Sequence, residues 1–285
     1  MAACRDTTAK RWQRLLCCEN VRVSERDVNP DRTDASGYAE FAIEMQDVFR
    51  CMWMRHGSVR RGASATVLPD ACADVVVDQS GVAVLVGPTM IPHRLQLDPS
   101  MSLRGLRLQP WAIALLFRTT ATDLRDQVFP LEDLLGSRAA RAAGAAVRDG
   151  QVPAIWRAVD TSPWQISLVK RLLTAPGSSV EQAGRGTGVS ERQARRTARH
   201  LTGLSPRELA QVGRLQRVLP LLDRGDVSLA ATAAEAGYVD QAHMTHALQR
   251  LTGATPRHLR EERGDKGSWT GDRVLREVAD LITVT

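Results

Sequence analysis

Between Glu40 and Leu135 the chain reads as short apolar runs broken by Gly and Pro: Val48–Met54, Val75–Val77, Val82–Val86, His93–Leu97 and Leu103–Leu108. Runs of that length, bounded by turn residues, predict strands of a small antiparallel sheet or barrel. Trp111–Phe117, Asp123–Leu135 and the Ala-rich Arg138–Arg148 predict flanking helices, and Gly150 and Pro153 then lead into a linker. Beyond about residue 160 the pattern changes to helical periodicity. Ser162-Pro163 supplies an N-cap and a Pro at the first helical position ahead of the amphipathic run Trp164–Leu173. The same cap grammar recurs at Ser205-Pro206 and Thr255-Pro256, and as a capping box from Ser178 to Glu181.

The expectation is an α+β chain of two domains. Residues 1–38 form a polar, loosely ordered leader, residues 39–158 a β-rich domain with flanking helices, residues 159–263 an all-α domain and residues 264–285 a tail. Val274, Leu275, Val278 and Leu281 fall at helical spacing in that tail.

The all-α region contains a repeat. Leu201-Thr202-Gly203-Leu204-Ser205-Pro206-Arg207-Glu208-Leu209 and Leu251-Thr252-Gly253-Ala254-Thr255-Pro256-Arg257-His258-Leu259 agree at six of nine positions, fifty residues apart. Followed backward at the same offset, Ser190 meets Asp240, Val189 meets Val239 and Ala183 meets Ala233. A fixed period with matching caps and turns marks a duplicated supersecondary unit. Each copy reads as a short helix (Val180–Arg185; Leu229–Ala236), a glycine-containing turn (Gly186 and Gly188; Gly237) and a second helix (Glu191–Thr202; Gln241–Thr252). That is a helix-turn-helix, twice. Pro206–Asp223, with Gly213 and Pro220 inside it, predicts a connector helix of about 27 Å, compatible with docking on major grooves roughly 34 Å apart.

Within the second helices Ala194, Ala198 and Leu201, and likewise Met244, Leu248 and Leu251, form an inward stripe. The opposite faces carry Arg192, Gln193, Arg195, Arg196 and Arg199 in one copy and Gln241, Ala242, His243, Thr245, His246, Gln249 and Arg250 in the other. Arg and Gln suit bidentate contacts to guanine and adenine edges, and further Arg pairs phosphates. A charged helical face is ordinarily just solvated surface. Here the turn and cap signals specify a docking geometry for it, and double-stranded promoter or operator DNA is the expected partner.

Charge sharpens this picture. The chain is basic (net +6, pI ≈ 9.5), and residues 160–263 hold 15 Lys+Arg against 10 Asp+Glu, nearly all of the excess. The five cysteines, Cys4, Cys17, Cys18, Cys51 and Cys72, are odd in number and include no CxxC pair, which suggests a reducing compartment. No signal peptide or membrane span is legible, so a cytoplasmic protein without membrane contact is expected.

These residues resemble the DNA-binding domain of AraC-type (AraC/XylS) transcriptional regulators. The likeness runs over about 160–262 and is carried by Ala236-Gly237-Tyr238, Asp240-Gln241-Ala242-His243-Met244, Leu251 to Pro256, Gly188 to Gln193 and Gly203 to Pro206. His246 stands where the family has a basic residue, and Ala198 and Leu248 where it has core aromatics. The resemblance implies a promoter-binding regulator, commonly an activator in contact with RNA polymerase, whose amino-terminal domain senses a ligand or dimerises. A small-molecule effector and a homodimer are thus admitted.

Val67 to Asp74, Val86-Gly87-Pro88 and Leu106 to Pro110 are similar to an uncharacterised small β domain found ahead of this module in some members, with Ala71 and Trp111 where glycine is expected.

Asp70, Cys72 and Asp74 at alternate positions would share a strand face and could bind a ligand or metal; a Pro-Asp turn followed by a buried Cys is the plainer reading. A small-molecule- or metal-binding β-barrel, enzyme or sensor, with a helical interaction domain is the alternative. His56 and His93 alone precede residue 200, too few for a clustered metal site. GxxxxGK[ST], GxSxG and HExxH are all missing, so neither an enzyme nor a cofactor is expected.

Overall fold

The computed structural model describes residues 38–266 apart from 44, 56–63, 97–101, 158–161, 176, 178 and 225–226. The leader, the tail beyond Lys266, Cys4, Cys17, Cys18 and His56 lie outside the described residues.

Eight strands are present among the described residues: β1 Tyr38–Phe41, β2 Phe49–Arg55, β3 Ser64–Val67, β4 Ala73–Asp78, β5 Ala83–Val86, β6 His93–Gln96, β7 Leu103–Leu108 and β8 Val128–Pro130. Six make one antiparallel sheet in the order β1-β2-β7-β4-β5-β8, and β3 pairs with β6 as a separate ribbon. The central strands β4 and β7 are buried almost throughout, which suits their continuous Val and Leu runs. Helix α1 (Ala112–Phe117) follows β7; α2 (Leu131–Leu135) and α3 (Ser137–Arg148) follow β8. The Ala140, Ala143, Gly144 and Val147 stripe of α3 lies on the sheet, small residues that let helix and strands approach closely.

Two sequence expectations change here. Asp123–Leu135 is not one helix: Thr120 to Asp126 form turns, with Asp126 at φ 57°, and Val128–Pro130 pair with β5 as an edge strand before α2 begins. A long-range pairing partner outweighs the local helical pattern, and Pro130 closes the strand where its missing N–H costs least. The stretch after Gly150 is packed rather than loose. A short 3-10 turn, Ala154–Trp156, buries Trp156 between Phe49 and Phe117.

The helical region comprises α4 (Pro163–Thr174), α5 (Val180–Arg185), α6 (Glu191–Thr202), α7 (Pro206–Arg224), α8 (Leu229–Glu235), α9 (Gln241–Thr252) and α10 (Pro256–Lys266). Ser179 rather than Ser178 caps α5, in a reciprocal box with Gln182: Gln182 N donates to Ser179 Oγ at 3.1 Å and Ser179 N to Gln182 Oε1 at 2.8 Å. The connector α7 crosses α4 at Gly213, where an added Cβ would lie 2.0 Å from the Leu173 carbonyl oxygen. Close crossing is what the mid-helix glycine supplies. Pro220 sits inside α7 without ending it.

Among the described residues the apolar side chains gather into three large cores. One lies between the sheet and α1 to α3. The second joins α4, α5, α6 and the first half of α7, and Ala71, Trp111 and Ala114 of the β-rich domain belong to it. The third joins the second half of α7 with α8, α9 and α10, touched by Leu68 and Met90.

Candidate nucleic-acid interface

Each copy of the duplicated unit positions its second helix by local chemistry. In the first, Ser190 caps α6 by accepting from Gln193 N at 3.3 Å; in the second, Asp240 caps α9 by accepting from His243 N at 2.7 Å. Ala194, Ala198 and Leu201, with Met244, Leu248 and Leu251, are all buried, so the helices are anchored by one stripe.

That anchoring turns the other faces outward. Arg192, Gln193, Arg195, Arg196 and Arg199 are exposed on α6, and Gln241, Ala242, His243, His246, Gln249 and Arg250 on α9; Thr245 is half-buried. Arg195 is engaged with Glu191 one turn back, Nε to Oε1 at 2.9 Å. Thr245 gives its hydroxyl proton to Gln241 O at 2.8 Å, which leaves its methyl and oxygen lone pairs outward-capable. The His243 ring stands edge-on to Tyr238 at 5.3 Å between centroids. Along α6 runs a cleft of ≈ 940 Å³, walled by Arg192, Arg195, Arg196, Arg199 and His200 on one side and by Thr120 and Thr122 of the β-rich domain on the other. Five basic side chains face it and Glu191 is its one acid, so it suits an extended polyanion.

Thr120 and Thr122 carry no signal in the sequence; nothing in a polar turn between two apolar helical patterns marks a contact to a segment 77 residues away. The contact is well built. Ala121 N donates to His200 O at 2.9 Å and Thr122 Oγ1 to Arg199 O at 3.1 Å. Arg125 Nη2 lies 2.9 Å from Glu208 Oε1, while Glu208 Oε2 accepts from Ser205 N and Oγ at 2.8 and 2.7 Å. Burial works against ionisation of the Glu208 carboxyl, but the Ser205 hydrogen bonds and the Arg125 guanidinium outweigh it and hold its pKa below the usual carboxylate range. Lys170 Nζ sits over the Trp111 ring and 3.6 Å from Asp47, and Gln216 Nε2 donates to Pro69 O at 3.0 Å.

Asp70, Cys72 and Asp74 do not share a strand face. Ala71 takes a left-handed φ of 64°, Asp70 Oδ1 accepts from Cys72 N at 2.9 Å to close a turn, and β4 begins only at Ala73. Their polar atoms are turned on protein partners. Arg107, wholly buried, reaches Asp74 Oδ1 at 3.1 Å, Glu40 Oε1 at 3.0 Å and Asp70 Oδ2 at 3.7 Å; Trp53 Nε1 donates to Asp74 Oδ1 at 2.7 Å. Cys72 Sγ accepts from Arg50 at 3.6 Å, and burial first, then the nearby Asp70 charge, pushes its thiol up to about 12. Among the described residues no group of three His, Cys, Asp or Glu is placed to hold a metal, and no helix is long and apolar enough to cross a membrane.

Residues 183–262 match a helix-turn-helix domain family, and residues 42–130 match a domain of unknown function, DUF6597. No curated protein matches the chain. Among solved structures it is similar to the C-terminal domain of AraT, a response regulator from Geobacillus stearothermophilus (19% identity, 41% of this chain and 97% of that one, TM-score 0.34). It is also similar to a DNA-binding transcriptional dual regulator from Escherichia coli K-12 (17%, 37% and 96%, TM-score 0.33) and to an apo ToxT variant from Vibrio cholerae (11%, 74% and 97%, TM-score 0.41). The chain thus carries a DUF6597 domain followed by a double helix-turn-helix domain of AraC type, the make-up of a DNA-binding transcription regulator, and the small-molecule- or metal-binding barrel is not favoured.

Proposed function

We propose that α6 and α9 enter two successive major grooves on one face of operator DNA, with α7 setting their spacing. The observation that carries this is the outward, Arg- and Gln-bearing face of each capped second helix, opposite a stripe buried in its own core. At 19 residues α7 spans about 28 Å, which with the width of each unit approaches the roughly 34 Å between grooves on one side of a duplex. Arg195, Arg199 and the helix N-termini set register on phosphates. Arg192, Gln193, Gln241, His243 and Thr245 face base edges, and Arg196, Ala242, His246 and Gln249 lie within reach of the groove walls.

The β-rich domain, packed against the first unit, is the part of the chain through which a small-molecule effector or a second protomer would act, and contact with RNA polymerase at a promoter follows from the family's usual mode. The test is a footprint of the full-length protein on the DNA upstream of its own coding sequence. Protection over about two helical turns on one face is expected; a footprint of a single half-site, or binding insensitive to Arg192→Ala and Gln241→Ala together, overturns the two-groove reading.

A further inference from the structure

The reading of α6 as a groove-inserted helix leads to a consequence for the β-rich domain. We propose that the DNA surface of the first unit extends onto that domain, with the Thr120–Thr122 loop lying against the phosphate backbone that borders the groove entered by α6. The inference rests on the DNA-binding reading above.

Geometry puts the loop there. A 12-residue helix is about 18 Å long, whereas the major groove is about 12 Å wide. When the first turns of α6 reach base edges, its last turn therefore stands at the flanking strand, and the Thr120–Thr122 loop is fixed to that last turn through the Arg199 and His200 carbonyls. The loop also changes the electrostatics of that end. Unsatisfied carbonyls at a helix C-terminus carry partial negative charge that repels phosphate. Here the loop's Ala121 N–H takes the His200 carbonyl and the Thr122 hydroxyl adds a second bond to the Arg199 carbonyl beside that of Gly203 N–H, so what the cleft offers an incoming phosphate is the Arg196, Arg199 and His200 side chains with the Thr120 and Thr122 edge as the opposite wall. The cleft already holds more cations than its one carboxylate can neutralise, and the phosphate backbone is the occupant that this charge fits.

Thr120 is half-buried and lines the cleft, so charge swaps there probe the proposal in the full-length protein. Binding of a labelled duplex is followed by anisotropy over a salt series for wild type, Thr120→Lys, Thr120→Glu and Ile155→Lys, an exposed position that does not line the cleft. One added phosphate contact steepens the salt slope by about 0.9, equivalent to about a 5-fold gain at 0.15 M salt. Thr120→Lys is expected to show that gain, Thr120→Glu a loss of similar size, and Ile155→Lys little of either.

Neutral swaps at Thr120, in a protein whose binding still collapses on Arg196→Ala, overturn this extension and leave the DNA reading standing. Tighter binding by Thr120→Glu, or weaker binding by both swaps with an unchanged salt slope, also overturns it, since the loop then obstructs DNA. Wild-type protein that binds no duplex fails the underlying reading itself.

Discussion

Gly203 and Gly253 occupy the same place in the two copies, each ending a recognition helix with left-handed backbone (φ 70° and 73°), yet their surroundings differ. A Cβ added at Gly253 meets nothing within 4 Å; at Gly203 it would lie 2.6 Å from the Ala121 carbonyl oxygen and 3.1 Å from its carbon. Alanine in left-handed backbone costs about 1–2 kcal/mol at either site. The stiffer unfolded chain returns part of that equally in both.

The difference between Gly203→Ala and Gly253→Ala therefore isolates the domain contact. Backbone cannot rotate out of the way as a side chain can, so the loop must move, and with it the Ala121–His200 and Thr122–Arg199 hydrogen bonds. Overpacking of this kind costs about 1–3 kcal/mol more. With about 2–4 °C of Tm per kcal/mol for a chain of this order, Gly253→Ala should fall by roughly 3 °C and Gly203→Ala by two to three times as much. Thermal melts of the two variants, each alone and combined with Arg125→Ala, provide the assay. The Gly203 and Arg125 changes should be non-additive because both release one interface, whereas those at Gly253 and Arg125 should add. Equal losses at the two glycines, or additivity in both pairs, would refute the claim that the β-rich domain is clamped to the first recognition helix.

Three further outcomes are expected. Arg192→Ala should reduce discrimination at one base pair by about 1–3 kcal/mol, whereas Arg199→Ala should weaken every duplex alike and flatten the salt slope by about one; competition binding with single-base operator variants separates the two. Asp74→Asn removes the carboxylate 3.1 Å from the buried Arg107 guanidinium and should destabilise the chain by about 3 kcal/mol in urea melts, toward the low end for a broken buried pair. Glu208 has a folded pKa below its unfolded value of about 4.3, so its contribution is present above that pH and is lost as pH falls through the folded pKa. Glu208→Gln should accordingly lower Tm at pH 7 and by much less at pH 3; an equal drop at both would assign the effect to packing.

What the sequence made legible was local. Helices α6 and α9 begin and end where their caps and C-terminal glycines place them, because Ser190, Asp240, Gly203 and Gly253 act on backbone groups three or four residues away. The outward faces followed from the same periodicity. Features that depend on distant partners were not legible. Val128–Pro130 became a strand because β5 was there to pair with, and β1 (Tyr38-Ala39-Glu40-Phe41) and β3 (Ser64-Ala65-Thr66-Val67) were missed because neither carries a run of large apolar residues. Asp70 and Cys72 fell outside β4 because Ala71 adopts a conformation in which its Cβ is strained, at a position where the resembling domain has glycine. The Thr120–Thr122 wall of the cleft was invisible for the same reason: its partner lies across a domain boundary.

The two copies thus share a sequence pattern but not a setting. Val189, just before the first cap, packs against its core, while Val239 at the matching position is 87% exposed. The first recognition helix has its Arg199 and His200 carbonyls bonded by the β-rich domain and shares a core with Trp111 and Ala114; a Cβ added at the glycine that ends the second would meet nothing within 4 Å. A ligand that altered the β-rich domain would consequently act on α6 directly, through the hydrogen bonds that Ala121 N and Thr122 Oγ1 donate to the His200 and Arg199 carbonyls, and on α9 through α7, which Gln216 ties to Pro69, and through the Leu68 and Met90 side chains at the edge of the third core. Coupling of that kind requires a differential interaction with two states of the interface, and its magnitude is bounded by what the interface itself contributes. Regulation of this chain should therefore appear first as a change in affinity for the half-site under α6, with the half-site under α9 responding less; an effector that shifted both half-sites equally would place the control in α7 instead.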